Sequence, residues 1–357
     1  MFLKRLSLQN FRNHHHFEIN FSKKRAVVVG PNMIGKSNLL EAVRFLSLGR
    51  SPKIKNGENL ITSGESFFRI RGEVDDVSDK TTLEVYGESG NSVDNHLSKR
   101  YLVNGVSRRS IDFVGNLKAV YFGPEDIEMV TSTPDVRRTF LNTVLAQVDK
   151  KYASHLIDYQ RVIIQRNHLL KRVRSNLQPY SDIAYWNESL LSSGLYLSSI
   201  RCSFFKFIAE FLPTLSPLFS NLLPFFETKY KPSVLSLESL LKLAQREILA
   251  GVTLIGPHRD DFEFYSSGGN LAQIGSRAQQ RLAVLILRLA ELEFIRQKSA
   301  EEPILLLDDL FSEFDPTRRQ ELLRLLGEGP QIILTTADLG LVDDNFLREA
   351  EVIELGR

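Results

Sequence analysis

The sequence predicts an α/β fold in which two halves of a strand-and-helix core are separated by a mostly helical lobe. Three observations predict it. An apolar run, Val27-Val28-Val29, leads straight into a glycine-bearing loop and then into a segment with helical spacing. A second apolar run, Ile304 to Leu307, ends in two acids near the far end of the chain. Between them, residues 125–250 read as helix punctuated by proline.

At 357 residues the chain is too long for one compact core, so two lobes are expected. A hydrophobic share of 43% and a charged share of 25% are ordinary globular values and argue against a largely disordered chain. The balance of 45 basic and 43 acidic residues, net +2, neither demands nor excludes nucleic acid. Any DNA surface must come from local clustering. Two basic clusters exist: Arg161, Arg166, His168, Lys171, Arg172 and Arg174, and then Lys99, Arg100, Arg108 and Arg109. The plain reading makes both solvated faces. The single cysteine, Cys202, excludes an internal disulfide and fits a reducing compartment. The opening MFLKRLSLQNF carries charge where a signal peptide needs an apolar core. No apolar run reaches the roughly 18 residues of a membrane span. A cytoplasmic location is therefore expected.

The first half of the core, 1–124, reads as short strands with one helix. Leu6, Leu8 and Phe11 alternate, as do Phe68, Ile70 and Val74, then Leu83 and Val85. Asn104-Gly105 predicts a two-residue hairpin turn, which makes this an antiparallel region. In the inserted lobe, 125–250, Thr133-Pro134 predicts a helix start with Thr as cap. Interruptions are expected at Pro179, Pro213, Pro217, Pro224 and Pro232. In the second half, 251–357, Leu282 to Ile295 is apolar nearly all round and predicts a buried helix. Ile304–Leu307 and Ile332–Leu334 predict central strands.

The loop itself is Gly30-Pro31-Asn32-Met33-Ile34-Gly35-Lys36-Ser37, a full match to G-x-x-x-x-G-K-[ST]. The strand before it and the helix after it are the context that this phosphate-binding pattern requires. Glycines let backbone N–H groups close around phosphate oxygens, and the helix start adds positive charge. Lys36 would reach the β- and γ-phosphates of ATP, and Ser37 would hold Mg2+. Asn38 continues the cofactor-binding segment. Asp308 and Asp309 end a buried strand at the sheet edge where ligands of open α/β sheets bind. Asp308 is expected on Mg2+; Asp309 is expected to be catalytic by orienting or deprotonating the attacking water, and Lys36 to be catalytic through its contact with the phosphates. Gly275-Ser276-Arg277-Ala278-Gln279-Gln280-Arg281 has a capping-box pattern, Ser276 with Gln279, at the head of the buried helix. Such a head is also an anion site.

These pieces, in this order, resemble the RecF family, bacterial recombination-mediator ATPases related to the ABC, SMC and Rad50 head domains. Further matching pieces are Leu8 to Asn13, Phe122-Gly123-Pro124-Glu125-Asp126, Pro134 to Leu141 with Arg137-Arg138, Gly256-Pro257-His258-Arg259-Asp260-Asp261, and Asp308 to Asp315. The resemblance implies an ABC-type P-loop ATPase core with an antiparallel β region and an inserted helical lobe. It implies an ATP-dependent homodimer in which Ser276 and Gln279 of one subunit meet the γ-phosphate held by the Gly30 loop of the other. It further implies weak, DNA-stimulated ATP hydrolysis, binding to duplex DNA beside a single strand, and work with RecO, RecR and RecA in repair. Ala278 stands where the family usually has Gly. Met33 and Ile34 replace smaller loop residues, and Ser132 and Asn142 stand where Gly and Asp are usual.

Two other readings remain open on sequence. One is a binding module that does not turn over, motivated by Ala278. The other is a small-molecule kinase with the same loop, for which the Ser276 helix has no use. The run His14-His15-His16 is not expected to form a metal site, because adjacent histidines cannot converge on one ion. Trp186 and Phe204, Phe205, Phe207 and Phe211 are expected in helix core rather than as base-stacking platforms.

Overall fold

The computed structural model describes residues 1–51, 58–75, 80–90, 97–219, 223, 225–310, 319 and 329–356. The chain divides into two compact units, Met1–Asp126 with Glu291–Arg357, and Ile127–Ala290.

The first unit holds two sheets. A five-stranded sheet comprises β3 (Arg25–Val29), β8 (Ala119–Phe122), β12 (Ile304–Asp308), β13 (Ile332–Thr336) and β14 (Glu351–Glu354). Its order is β14-β3-β13-β12-β8, and every neighbouring pair is parallel. β12 and β13 are buried at all positions, which is why they read as continuous apolar runs. The antiparallel sheet comprises β1 (Phe2–Phe11), β2 (His14–Asn20), β4 (Phe67–Asp75), β5 (Lys80–Ser89), β6 (Leu97–Val103) and β7 (Val106–Arg108), in the order β2-β1-β4-β5-β6-β7. Val103 pairs with Val106 across Asn104 (φ 52°) and Gly105 (φ 77°), the left-handed pair that an Asn-Gly hairpin turn needs.

The helix Lys36–Leu48 packs into one core with residues of both sheets. Leu39, Leu40, Val43, Phe45 and Leu46 are fully buried with Leu6, Phe11, Phe68 and Val85 of the antiparallel sheet and Val28, Leu306 and Ile333 of the parallel one. Each such side chain contributes about 1.5–3 kcal/mol of burial.

The second unit is mainly helical: Pro134–Val148, Lys150–Arg174, Ile183–Phe219 and Leu237–Ala250. It ends at Ala290 rather than at residue 250. The reason is a small sheet in which β10 (Asp261–Ser266) lies between β9 (Phe226–Lys231) and β11 (Gly269–Asn270), tying chain on both sides of residue 250 together. Strand β9 lies in a stretch expected to be helix.

The prolines also behave unevenly. Pro179 lies in the break between the helices Lys150–Arg174 and Ile183–Phe219, as expected, but the latter runs through Pro213 and Pro217. Pro213 is exposed, and so is Ala209, whose carbonyl it cannot serve. Thr133 has the extended backbone of a cap, but its side chain accepts no bond from the helix. The helix Arg277–Ser299 is buried along Leu282–Ala290, as its composition predicts.

Arg166 corrects the solvated reading of its cluster. It is wholly buried and bonds Asn187, Thr253 and Glu247. Phe204 and Phe205 are buried core residues, as expected, Phe204 meeting Phe140 edge-on and Phe205 stacked on Tyr230. Trp186 packs against a small cluster of Leu169, Leu170 and Ile183. Among the described residues, no helix is long and apolar enough to cross a membrane.

Candidate functional site

Strand β3 ends at Val29 and the Gly30 loop leads into the helix that begins at Lys36. Gly35 is the cap of that helix at φ 113°, a conformation that L side chains rarely adopt. A Cβ there would sit 2.6 Å from His14 Nε2 and 2.7 Å from the Asn13 side chain, so the glycine also makes room. These two neighbours hold the loop from outside. Asn13 Nδ2 donates to the Ile34 carbonyl (2.8 Å), Asn38 Nδ2 donates to Asn13 Oδ1 (2.8 Å), and His14 Nε2 contacts the Gly35 carbonyl (3.2 Å). Burial lowers the His14 pKa, and the Gly35 contact opposes that shift. The histidine run lies on strand β2, with His14 buried and His15 and His16 exposed. Among the described residues no group of three or more His, Cys, Asp or Glu is gathered for a metal ion.

Lys36 Nζ donates to the carbonyls of Gly30 (2.6 Å) and Pro31 (2.9 Å). Burial pulls its ammonium below the usual lysine range, while Asp309 and then Asp308 act in the opposite direction. Met33, at φ 71°, is almost fully exposed, so its bulk does not crowd the loop.

Asp308 ends β12 and is 4% exposed. Its Oδ1 accepts from Ser37 Oγ (3.0 Å) and Thr335 Oγ1 (2.7 Å), and its Oδ2 accepts from the Tyr121 hydroxyl (3.0 Å). Strand register explains the set. Thr335 pairs directly with Asp308, and Tyr121 pairs with Leu306, two residues back on the same face. Asp309 turns out of the strand at φ 49°, with its N–H donating to the Thr335 carbonyl and hydroxyl. A cavity of about 250 Å³ is lined by Asn32, Met33, Gly35, Lys36, Ser37, Asn38, Pro124, Asp308 and Asp309.

Most of the sequence-predicted residues thus meet at one cavity, although Gly30, Pro31 and Ile34 are not on its wall. Ser276 and Gln279 lie in the second unit. They form the reciprocal capping box: Ser276 N–H donates to Gln279 Oε1 (2.9 Å) and Gln279 N–H to Ser276 Oγ (3.3 Å). Ala278 is exposed on the same turn. Phe311 to Asp315, the remainder of the Asp308 to Asp315 stretch that carried part of the resemblance, lie outside the described residues.

Sequence reasoning missed Tyr121, Thr335, His14, Asn13 and Pro124 as site residues. Asn13 and Pro124 lie in stretches that carried the family resemblance. Tyr121 and Thr335 gave no local signal, because strand pairing alone brings them to Asp308.

His258 is neutral in the second unit. It takes a hydrogen bond from Tyr159 on Nδ1 (2.7 Å) and its Nε2–H donates to the Thr253 carbonyl (3.1 Å). Burial pushes its pKa down to about 4, helped by Arg259 and Arg138 and opposed by the Thr253 bond and by Asp260. Asn142 accepts from Tyr152 (2.8 Å) and Arg201 (2.8 Å) through Oδ1.

Residues 2–351 match the family model described as the RecF/RecN/SMC N-terminal domain. The chain is 33% identical over 371 residues to the DNA replication and repair protein RecF of Bacillus mycoides (strain KBAB4), covering 99% of this chain and 97% of that one. RecF of Bacillus thuringiensis (strain Al Hakam) matches with the same identity and coverage. A solved structure of the recombination mediator protein RecF-ATP in the RecFOR pathway superposes with a TM-score of 0.86 at 29% identity, over 96% of this chain and 93% of that chain. The Smc head domain of Pyrococcus furiosus, at a TM-score of 0.53 and 17% identity over 99% of this chain and 93% of its own, shares the ABC ATPase fold. With the motif order, the fold and these matches in agreement, the chain belongs to the RecF family of DNA replication and repair proteins.

Proposed function

We propose that this chain is an ATP-dependent DNA-binding switch of replication and recombinational repair. Two subunits close on ATP, hold duplex DNA beside a single-stranded gap, and open after slow, DNA-stimulated hydrolysis. The observation that carries the reading is the 3.0 Å contact from Ser37 Oγ to Asp308 Oδ1, on the wall of the cavity that Lys36 also lines.

Hard oxygen donors beside a glycine loop and a helix start fit a nucleotide with Mg2+. Ser37 Oγ and Asp308 Oδ1 would hold the ion. Bound there, Mg2+ supplies charge that offsets what develops on the β- and γ-phosphate oxygens. Lys36 exchanges its carbonyl partners for phosphate oxygens, whose negative charge offsets the burial that disfavours its ammonium. Asp309 orients the attacking water and accepts its proton. Ser276 and Gln279 present a capped helix head to the nucleotide of the opposite subunit. Lys and Arg contacts to DNA phosphates make binding fall with salt. RecO-like and RecR-like mediators, RecA loading and a cytoplasmic site of action are part of the same reading, and the RecFOR pathway named for a solved relative supports the mediators.

The test is sedimentation with ATP, with ADP, and with ATP for Lys36→Met. A dimer with ATP alone, lost in the variant, supports the sandwich. A monomer throughout, with ATP bound, overturns it.

The exposed methyl of Ala278 on the capped turn favours a second reading, a clamp that binds ATP without turnover. Phosphate release that stays at background with and without DNA would support that reading.

A further inference from the structure

Resting on the reading of Ser37 and Asp308 as Mg2+ ligands, we propose that Tyr121 is a positioning residue that aims Asp308 at the ion. Tyr121 sits on β8, 3% exposed, in a strand whose other residues, Ala119, Val120 and Phe122, are apolar. A phenol in such a strand needs a partner for its hydroxyl. The hydroxyl lies 3.0 Å from Asp308 Oδ2 and 3.0 Å from Glu125 Oε1.

The surroundings fix the ring. The Arg44 guanidinium lies 3.8 Å from the ring centroid and 3.8 Å from Glu125 Oε1. Gly123 leaves space for the hydroxyl, since a Cβ there would stand 2.1 Å from it. The phenol therefore cannot swing away from Asp308 without displacing packed neighbours.

The consequence is a division of labour on one carboxylate. Tyr121 occupies Oδ2, so the plane of the group is set with Oδ1 toward Ser37. Without that donor Thr335 and Ser37 still hold Oδ1, but Oδ2 loses its anchor and the plane of the group can turn about Oδ1; a ligand whose plane turns binds a cation more weakly. Partners behind metal ligands typically contribute 10- to 100-fold in metal affinity. The single phenolic hydrogen serves two carboxylates, so Tyr121 also links Asp308 to Glu125 and Arg44.

The test is Tyr121→Phe, read by Mg2+ titration of the binding of a fluorescent N-methylanthraniloyl ATP. The expected result is a Mg2+ half-saturation point raised about tenfold or more, with binding in EDTA unchanged. A half-saturation point within about twofold of wild type overturns the inference, because the removed hydroxyl then does nothing for the ion. Loss of binding in EDTA as well overturns it too, since the residue would then hold the loop rather than the metal ligand. Absence of any Mg2+ dependence in the wild-type chain overturns the metal reading itself. Tyr121→Met, which also lacks the hydroxyl, repeats the measurement should the Phe variant fail to fold.

Discussion

Asp308 in the first unit and Asp260 in the second are both nearly inaccessible carboxylates, at 4% and 0% exposure, yet their surroundings differ in kind. Asp260 faces a guanidinium. Arg201 Nη1 donates to its Oδ2 (2.7 Å), the Tyr230 hydroxyl donates to the same oxygen, and the Ser233 N–H donates to Oδ1 (2.7 Å). Arg201 in turn donates to the Pro257 carbonyl and to Asn142. Asp308 accepts from three neutral hydroxyls, and it borders a cavity. A carboxylate already neutralised by an internal cation is structural. One held by neutral donors on a cavity wall keeps its charge for something that enters. The comparison separates family-typical residues that build the protein, such as Gly256 to Asp261, from those that act.

The comparison can be broken by experiment. Arg201→Ala leaves Asp260 buried without its cation, and is expected to cost about 3–5 kcal/mol in unfolding free energy. Denaturant midpoints measure it. Lys36→Met should do the reverse, with a small change in midpoint but nucleotide binding weaker by about 2–5 kcal/mol in a direct titration. Equal stability losses in the two variants would erase the distinction.

The pH dependence sharpens it. The folded pKa of His258 lies at about 4, below the unfolded value near 6.5. The unfolded chain therefore binds the proton first as pH falls. This stability is fully present above about pH 6.5, declines by up to about 1.4 kcal/mol per unit below that, and is lost near pH 4. His258→Asn should flatten that segment of the stability profile. The smallest expected effect is Ala278→Gly, costing at most about 1 kcal/mol in helix stability. It should strengthen the ATP-dependent dimer or its turnover, read by sedimentation and phosphate release. No change in either would remove Ala278 as the reason for the non-hydrolysing reading.

Much of the fold was legible where the code is local. The Asn104-Gly105 hairpin, the Ser276–Gln279 capping box and the strand–loop–helix around Lys36 all formed as read. The misreadings share one cause. Strand β9 passed for part of a helical lobe because its sequence, Phe226 to Lys231, alternates too weakly to stand out, and its pairing with β10 is what makes it a strand. Arg166 passed for surface because charge implies solvent unless partners are known, and Glu247 and Thr253 stand 81 and 87 residues away.

The phosphate loop, its flanking strand and helix, and the acidic end of β12 are written in the chain locally, because each depends on residue type at short spacing. The bracing of the loop by Asn13 and His14, and the binding of Asp308 by Thr335 and Tyr121, arise only when the strands pair. Tyr121 lies 187 residues from Asp308, and parallel strand pairing, which no local pattern encodes, is what joins them.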